Sequence, residues 1–293
     1  MEPQPRKSRT LRTVLIVLIL VAAVVAAYFI LTYDRKPAET PPEAEARVEF
    51  VTWNLYNFGR SKDDQEMAFI AERLRDFDLV AIQEVSVSRE GERAVRRLVE
   101  ALHRLGGRWD YALSDPTSGD GSERYAYVWN ADRVRLLGHG WLEPSLSRPI
   151  DREPFLARFE VGDRRLLVAS FHAVPTSKKP AREIRLLERL HERYPDDDLV
   201  IAGDFNLSQA SSAFDALKAE GLAPALVGQK TSVKMKRKDG EHLANEYDNI
   251  FYETGPLRVE EVGVIDFTEQ FSTLREARRI SDHLPVYVDL AWN

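Results

Sequence analysis

The chain of 293 residues contains no cysteine. That excludes disulfide staples, thiolate metal sites and a cysteine nucleophile. It also lacks an excess of positive charge: 41 Lys and Arg against 47 Asp and Glu give a formal net charge of −6. No broad basic field covers the molecule, so any polyanion must be held locally. There is no internal repeat of the kind that marks solenoids and propellers. No glycine-rich phosphate loop follows the first strand signal, which argues against a Rossmann or P-loop nucleotide site. No G-x-S-x-G elbow is present for a serine esterase.

With 44% hydrophobic and 30% charged residues, the chain can bury the core of one large domain or two small ones. Thr13 to Tyr33, TVLIVLILVAAVVAAYFILTY, runs without a charge and follows Arg6, Lys7, Arg9 and Arg12. A helix of that length spans a hydrocarbon core of about 30 Å. The excess of basic residues before it predicts a single-pass anchor with residues 1–12 in the cytoplasm and the rest exported. The alternative is a signal peptide cleaved near Val25-Ala26-Ala27. Either way the body of the protein is expected outside the cytoplasm, periplasmic or extracellular. Residues 34–46, DRKPAETPPEAEA, read as a Pro- and acid-rich linker, leaving 47–293 as the catalytic domain.

Strand signals recur in that domain at 48–53, 78–83, 125–129, 155–161, 165–171, 198–203, 247–252 and 284–290. Helical periodicity occupies 63–77, 92–105, 179–194 and 211–221. Such mixing predicts an α/β or α+β layered domain. Polar residues cluster where strands meet loops: Asn54, Glu84, His172, Asp204 with Asn206, Asp248, and Asp282 with His283. Singly, each is as readily a turn, a cap or a satisfied core residue, and His103, His139, His191 and His242 are read that way. Together they form a coherent inventory. Carboxylates and an amide without cysteine suit a hard cation such as Mg²⁺ or Mn²⁺, with Ca²⁺ a further candidate. Two histidines with carboxylate partners supply acid and base for hydrolysis of a phosphate ester.

The segments TWNLYNF, IQEV, SERYAYVW, REPFLARF, SFHAVP, GDFNLS, EYDNIF and SDHLPVYVDL occur in that order over residues 48–290. They resemble the motifs of the endonuclease/exonuclease/phosphatase superfamily, and among its members the pancreatic-type deoxyribonucleases. The resemblance implies a four-layer sandwich of two packed mixed β-sheets flanked by helices. It implies Glu84 as metal ligand with Asn54 and Asp282 close by, and His283 as the base, oriented by Asp248. His172 resembles the second catalytic histidine, partnered by Glu123. Asp204 and Asn206 would hold the scissile phosphate, the attacking water or a second metal, and Arg152 would bind the substrate phosphate. DNA is then the expected partner besides the membrane; no protein partner can be identified.

Two positions depart from the pancreatic pattern. Ser86 and Gly121 stand where those enzymes place an arginine and a tyrosine that enter the DNA minor groove. Other cations are available: KMKRKDG (234–240), expected as a loop, and Arg89, Arg93, Arg96 and Arg97 on the second helical stretch. Each set is either a polyanion contact or solvated surface charge. The primary expectation is a deoxyribonuclease-like endonuclease with little sequence preference. A phospholipid or inositol-phosphate hydrolase using the same site is one alternative, and a non-catalytic exported binding module of the same fold is another.

Overall fold

The computed structural model describes residues 46–293. The tail, anchor and linker expected before Ala46 lie outside the described residues. Among those described, no helix is long and apolar enough to cross a membrane.

Along the chain come β1 (Arg47–Phe58), α1 (Asp64–Leu74), β2 (Leu79–Val85), α2 (Arg89–Leu105), β3 (Trp109–Leu113), β4 (Arg124–Asn130) and β5 (Val134–Leu142). β6 (Phe155–Val161) and β7 (Arg164–His172) lead to the short helices α3 (Ala181–Ile184) and α4 (Glu188–Arg193), then β8 (Asp198–Asp204), α5 (Asp215–Ala219) and β9 (Leu222–Pro224). β10 (Val233–Lys238) and β11 (Glu241–Leu243) form a hairpin, followed by β12 (Asp248–Glu253), β13 (Leu257–Val264), α6 (Leu274–Ile280) and β14 (Val286–Trp292).

Two six-stranded mixed sheets result, ordered β13-β14-β1-β2-β4-β3 and β5-β6-β7-β8-β12-β9. Their inner faces meet over Val48, Phe50, Leu79, Tyr127, Phe159, Val168, Val200, Ile250 and Val288. The outer face of the first sheet carries Val51, Trp53, Val80 and Ile82 beneath α1, α2 and α6. The outer face of the second carries Leu167, Ala169, Leu199 and Ile201 beneath α3 to α5. Central strands buried on both faces explain the apolar runs at 79–82 and 199–202, which show no alternation. This is the four-layer arrangement that the resemblance implied.

Strand direction gathers the site at one end. β1 runs parallel to β2, and β7 parallel to β8, so all four finish at the same edge. β14, β4, β6 and β12 run antiparallel to their neighbours and therefore begin there. Register does the rest. His172 pairs with Asp204 across β7 and β8, and Asp248 pairs with Asp204 across β12 and β8. Gly203 permits that approach: its φ is +143°, and a Cβ there would lie 1.9 Å from the Phe171 carbonyl oxygen. Backbone cannot yield as a side chain does, so Gly203→Ala is expected to cost roughly 2–5 kcal/mol. A fall in the urea midpoint at constant slope would report it.

Two expectations need correction. The helix predicted over 179–194 is broken at 185–187, where the backbone closes i+3 turns such as Leu186 N to the Glu183 carbonyl. The buried Glu183 carboxylate accepts from Asp151 N (2.7 Å) and Val174 N (2.8 Å), which fixes α3 against the loops beside the site. The basic segment 234–240 is not a loop but most of the β10–β11 hairpin. Asp239 and Gly240, both at positive φ, form its two-residue turn, the conformation an Asp-Gly hairpin favours.

Candidate active site

Asp204 sits at the centre of the site. Its Oδ1 accepts from Asn206 N (2.9 Å), and its Oδ2 accepts from Asn54 Nδ2 (3.1 Å). Two imidazoles face the same Oδ2: His172 Nε2 at 3.3 Å and His283 Nε2 at 3.5 Å. Each ring is held from behind by a second carboxylate. His172 Nδ1 lies 2.9 Å from Glu123 Oε2, and His283 Nδ1 lies 2.8 Å from Asp248 Oδ2. Thr231 Oγ1 donates to that Asp248 oxygen at 2.6 Å.

An imidazole with acceptors at both nitrogens is best satisfied as the doubly protonated ion. The electrostatics agree. Burial works against the His172 cation, but Glu123 and Asp204 outweigh it and hold its pKa up at about 9. His283 is likewise pushed well above the usual histidine range, burial being overcome by Asp248 and Asp204. Burial opposes ionisation of Asp204 too, yet the two imidazoles and the Asn206 amide hold it well below the usual carboxylate range. Asp248 is raised, by burial first and by the neighbouring Asp204 charge.

Glu123 connects this centre to the opposite wall. It accepts from Arg152 (3.1 Å) and from Glu84 N (3.2 Å). Arg152 is buried and also donates to the Ala173 carbonyl, while its Nε makes no hydrogen bond with a described residue. A buried, unanswered guanidinium N–H facing such a site is suited to an oxyanion. Asn206 adopts positive φ and donates through Nδ2 to the Ala173 carbonyl at 3.1 Å. Glu84, also at positive φ, accepts from Asn54 Nδ2 (3.0 Å) and Asn57 N (2.8 Å). It lines an open cleft of about 500 Å³ together with Arg60, Ser86, Gly121, Glu123 and Arg152. Both positions that depart from the pancreatic pattern therefore lie in this cleft. Gly121 N donates to Asp151 Oδ2 (3.0 Å), and a Cβ there would stand 2.4 Å from that oxygen, so a larger residue would require the Asp151 carboxylate to move.

Of the ten residues read from the sequence, nine are joined by side-chain or backbone hydrogen bonds around Asp204 and Glu123. Asp282 is the exception: its Oδ2 pairs with Arg278 (2.9 Å), and its carbonyl accepts from Val233 N (2.7 Å). Its Oδ1 is buried and accepts no hydrogen bond from a described residue. An orphaned buried carboxylate oxygen of this kind fits a hard cation. Asn54 turns its amide nitrogen, not its oxygen, toward Glu84 and Asp204; the oxygen accepts from Tyr56 N. The tightest group of ligand-type atoms is a different one, Asp204, Asp248 and His283, all within 4.8 Å. There the imidazole and Asp248 already hold one another through Nδ1, which suits proton transfer better than metal ligation.

Three supporting residues escaped the sequence reading: Thr231, Ser281 and Lys62. Ser281 Oγ donates to the Asn54 carbonyl and accepts from His283 N. Lys62 is buried, and its Nζ donates to the carbonyls of Tyr56 (3.2 Å) and Arg279 (2.7 Å), tying the Asn54–Asn57 segment to the helix before Asp282. Burial pushes its pKa down to about 8 against the pull of Glu66, Asp282 and Glu84. Its place directly before the α1 capping box of Asp63 and Glu66 was the one available signal.

Paired imidazoles sharing one carboxylate, with an arginine and a cation-fitting glutamate beside them, define a hydrolase site for a phosphorylated substrate. The model of the endonuclease/exonuclease/phosphatase family matches residues 51–283, and the chain belongs to that family, whose members are hydrolytic nucleases and phosphatases. It is 30% identical over 230 residues to deoxyribonuclease-1-like 1 of Sus scrofa, covering 73% of this chain and 71% of that one. To a deoxyribonuclease of Thioalkalivibrio sp. (strain K90mix) it is 28% identical over 270 residues, covering 85% and 72%. A solved endonuclease/exonuclease/phosphatase family protein from Bacteroides thetaiotaomicron superposes with TM-score 0.62 at 17% identity, over 85% of this chain and 99% of that one.

Proposed function

We propose that the protein is a divalent-metal-dependent endonuclease that hydrolyses DNA phosphodiester bonds with little sequence preference, tethered by residues 13–33 with its catalytic domain outside the cytoplasm. The observation that carries the chemistry is the Asp204 carboxylate shared by two imidazoles, each backed by its own acid. The names of the pig and Thioalkalivibrio relatives favour DNA. The tether rests on the charge-free stretch and the basic residues before it.

His283, fixed through Nδ1 on Asp248, is the base that takes a proton from water, acting from the neutral form that has first given up its Nε2 proton. His172, fixed on Glu123, presents its Nε2 proton to the negative charge that builds on the phosphoryl group or the departing oxygen. Asp204 holds the two rings at a common distance, and Arg152 with Asn206 positions the phosphate. When bound, a cation such as Mg²⁺ or Mn²⁺ would supply further charge neutralisation at the phosphoryl oxygens, with Glu84 and Asp282 as the residues to hold it and Asn54 orienting Glu84 through its amide N–H.

The substrate is tested by offering the detergent-solubilised full chain supercoiled plasmid, sphingomyelin and inositol phosphates in parallel with Mg²⁺. Nicked plasmid without release of phosphocholine or phosphate is expected. Turnover of either of the other two with intact plasmid would transfer the same site to a lipid or inositol substrate.

A further inference from the structure

The two basic stretches noted in the sequence have different fates. On α2, Arg93 pairs with Glu90 and Arg97 with Asp64, so half of that cluster is answered internally. The hairpin is not. Lys236, Arg237 and Lys238 are exposed, and Met235 just before them is 71% exposed. The side chains of Lys236 and Lys238 make no hydrogen bond or ion pair with any described residue, and neither does that of Arg275 of α6 across the adjoining groove. Opposing charge is sparse: Asp239 lies at the turn, and Glu241 is shared with Lys230 at 3.9 Å. Residues 47–293 carry 35 basic against 42 acidic side chains, so this concentration runs against the charge of its own domain.

Its foot is built into the catalytic end. Val233 N donates to the Asp282 carbonyl, Ser232 bridges to His283, and Thr231, two residues before β10, holds Asp248. Arg278 donates to the Val233 carbonyl and pairs with Asp282. The arm therefore starts at the proton-transfer residues. From Val233 to Lys238 it extends roughly 17 Å at about 3.4 Å per residue. That equals the rise of about five base pairs of duplex.

We infer that the β10–β11 hairpin is a docking arm for the phosphate backbone of the DNA flanking the bond that is cut. The inference rests on the deoxyribonuclease reading and adds to it where the remainder of the polymer is held. A membrane surface is the other anionic partner; the arm's root on His283 and Asp282 favours a ligand continuous with the substrate.

The test compares the full chain in non-ionic detergent with the triple variant Lys236→Glu, Arg237→Glu, Lys238→Glu and with its neutral counterpart bearing glutamine at all three. Anisotropy of a fluorescent duplex of about 30 base pairs, well beyond the arm's span, is followed against salt in EDTA. Hydrolysis of bis(4-nitrophenyl) phosphate in Mg²⁺ reads the chemistry without a polymer. Both variants should bind the duplex roughly tenfold or more weakly, and the log–log salt slope should fall by about 0.9 for each phosphate no longer neutralised. Small-diester hydrolysis should stay at the wild-type rate. Unchanged duplex affinity and slope would overturn the proposal, as would an equal loss on the small diester in both variants. Loss of binding to phosphatidylserine vesicles with duplex binding intact would overturn it in favour of a membrane contact. A wild type that cuts the small diester but not DNA would end the deoxyribonuclease reading, whereas equal duplex binding by wild type and variants would end this inference alone.

Discussion

Asp204→Asn is expected to lower the rate of plasmid nicking by roughly 10³–10⁴-fold, as much as any single change in the site. One oxygen of this side chain faces His172, His283 and Asn54 together. An amide of the same shape removes the charge that favours both imidazolium forms, and offers either an oxygen without charge or an N–H against two rings. The two histidines should then act as a unit, not as independent contributors. His172→Ala and His283→Ala are each expected to approach the same residual rate, with the double variant little slower than the worse single one. Log-additive losses in the double variant would show two separable sites and would break the central role given to Asp204.

The second large effect is on stability against pH. The pKa of His172 rises from 6.5 to about 9 on folding. A group raised on folding contributes stability that is fully present below its unfolded value and lost as pH climbs through the folded one. The window is therefore pH 6.5 to about 9, and the amount is about 3 kcal/mol. His283, also raised, acts in the same sense. Asp204 is depressed, so its contribution is present above the ordinary carboxylate range and lost as pH falls through and below it. The unfolding free energy should consequently decline between pH 7 and 8, below the range in which Lys62, depressed to about 8, works in the opposite sense, and His172→Asn should flatten that decline while lowering stability at pH 6. Urea melts at a series of pH values measure both. A wild-type stability that rises between pH 7 and 8 would contradict the charged-imidazole account.

Much of this architecture is written in local patterns. The strand signal over 155–161 has the observed limits of β6, and the other seven signals all fall on strands, because doubly buried strands need long apolar runs. β5, VRLLGHGWL, gives no such signal, since it lies at a sheet edge and carries two glycines. β10 reads as a loop because an exposed hairpin needs no apolar face. The helix over 179–194 breaks at 185–187, where the backbone tightens into i+3 turns that the apolar periodicity does not register. The site divides in the same way. Asn54, Glu84, His172, Asp204 and His283 can be named because each stands beside a recognisable strand end. That both rings share one Asp204 oxygen cannot be read, since it depends on two sheets meeting. Thr231 carries no pattern of its own and Lys62 only its place before the α1 capping box; their roles exist only once Asp248 and the Asn54–Asn57 segment are in place.

Everything proposed here turns on whether this end of the sandwich cuts DNA through paired imidazoles with a divalent cation. Supercoiled plasmid incubated with the full chain, in Mg²⁺ or in EDTA, beside His283→Ala, decides it. Open-circular product is expected in Mg²⁺, none in EDTA and almost none with the variant. Intact plasmid with every divalent cation, or nicking that survives both EDTA and the loss of His283, would mean that these imidazoles do not cut DNA.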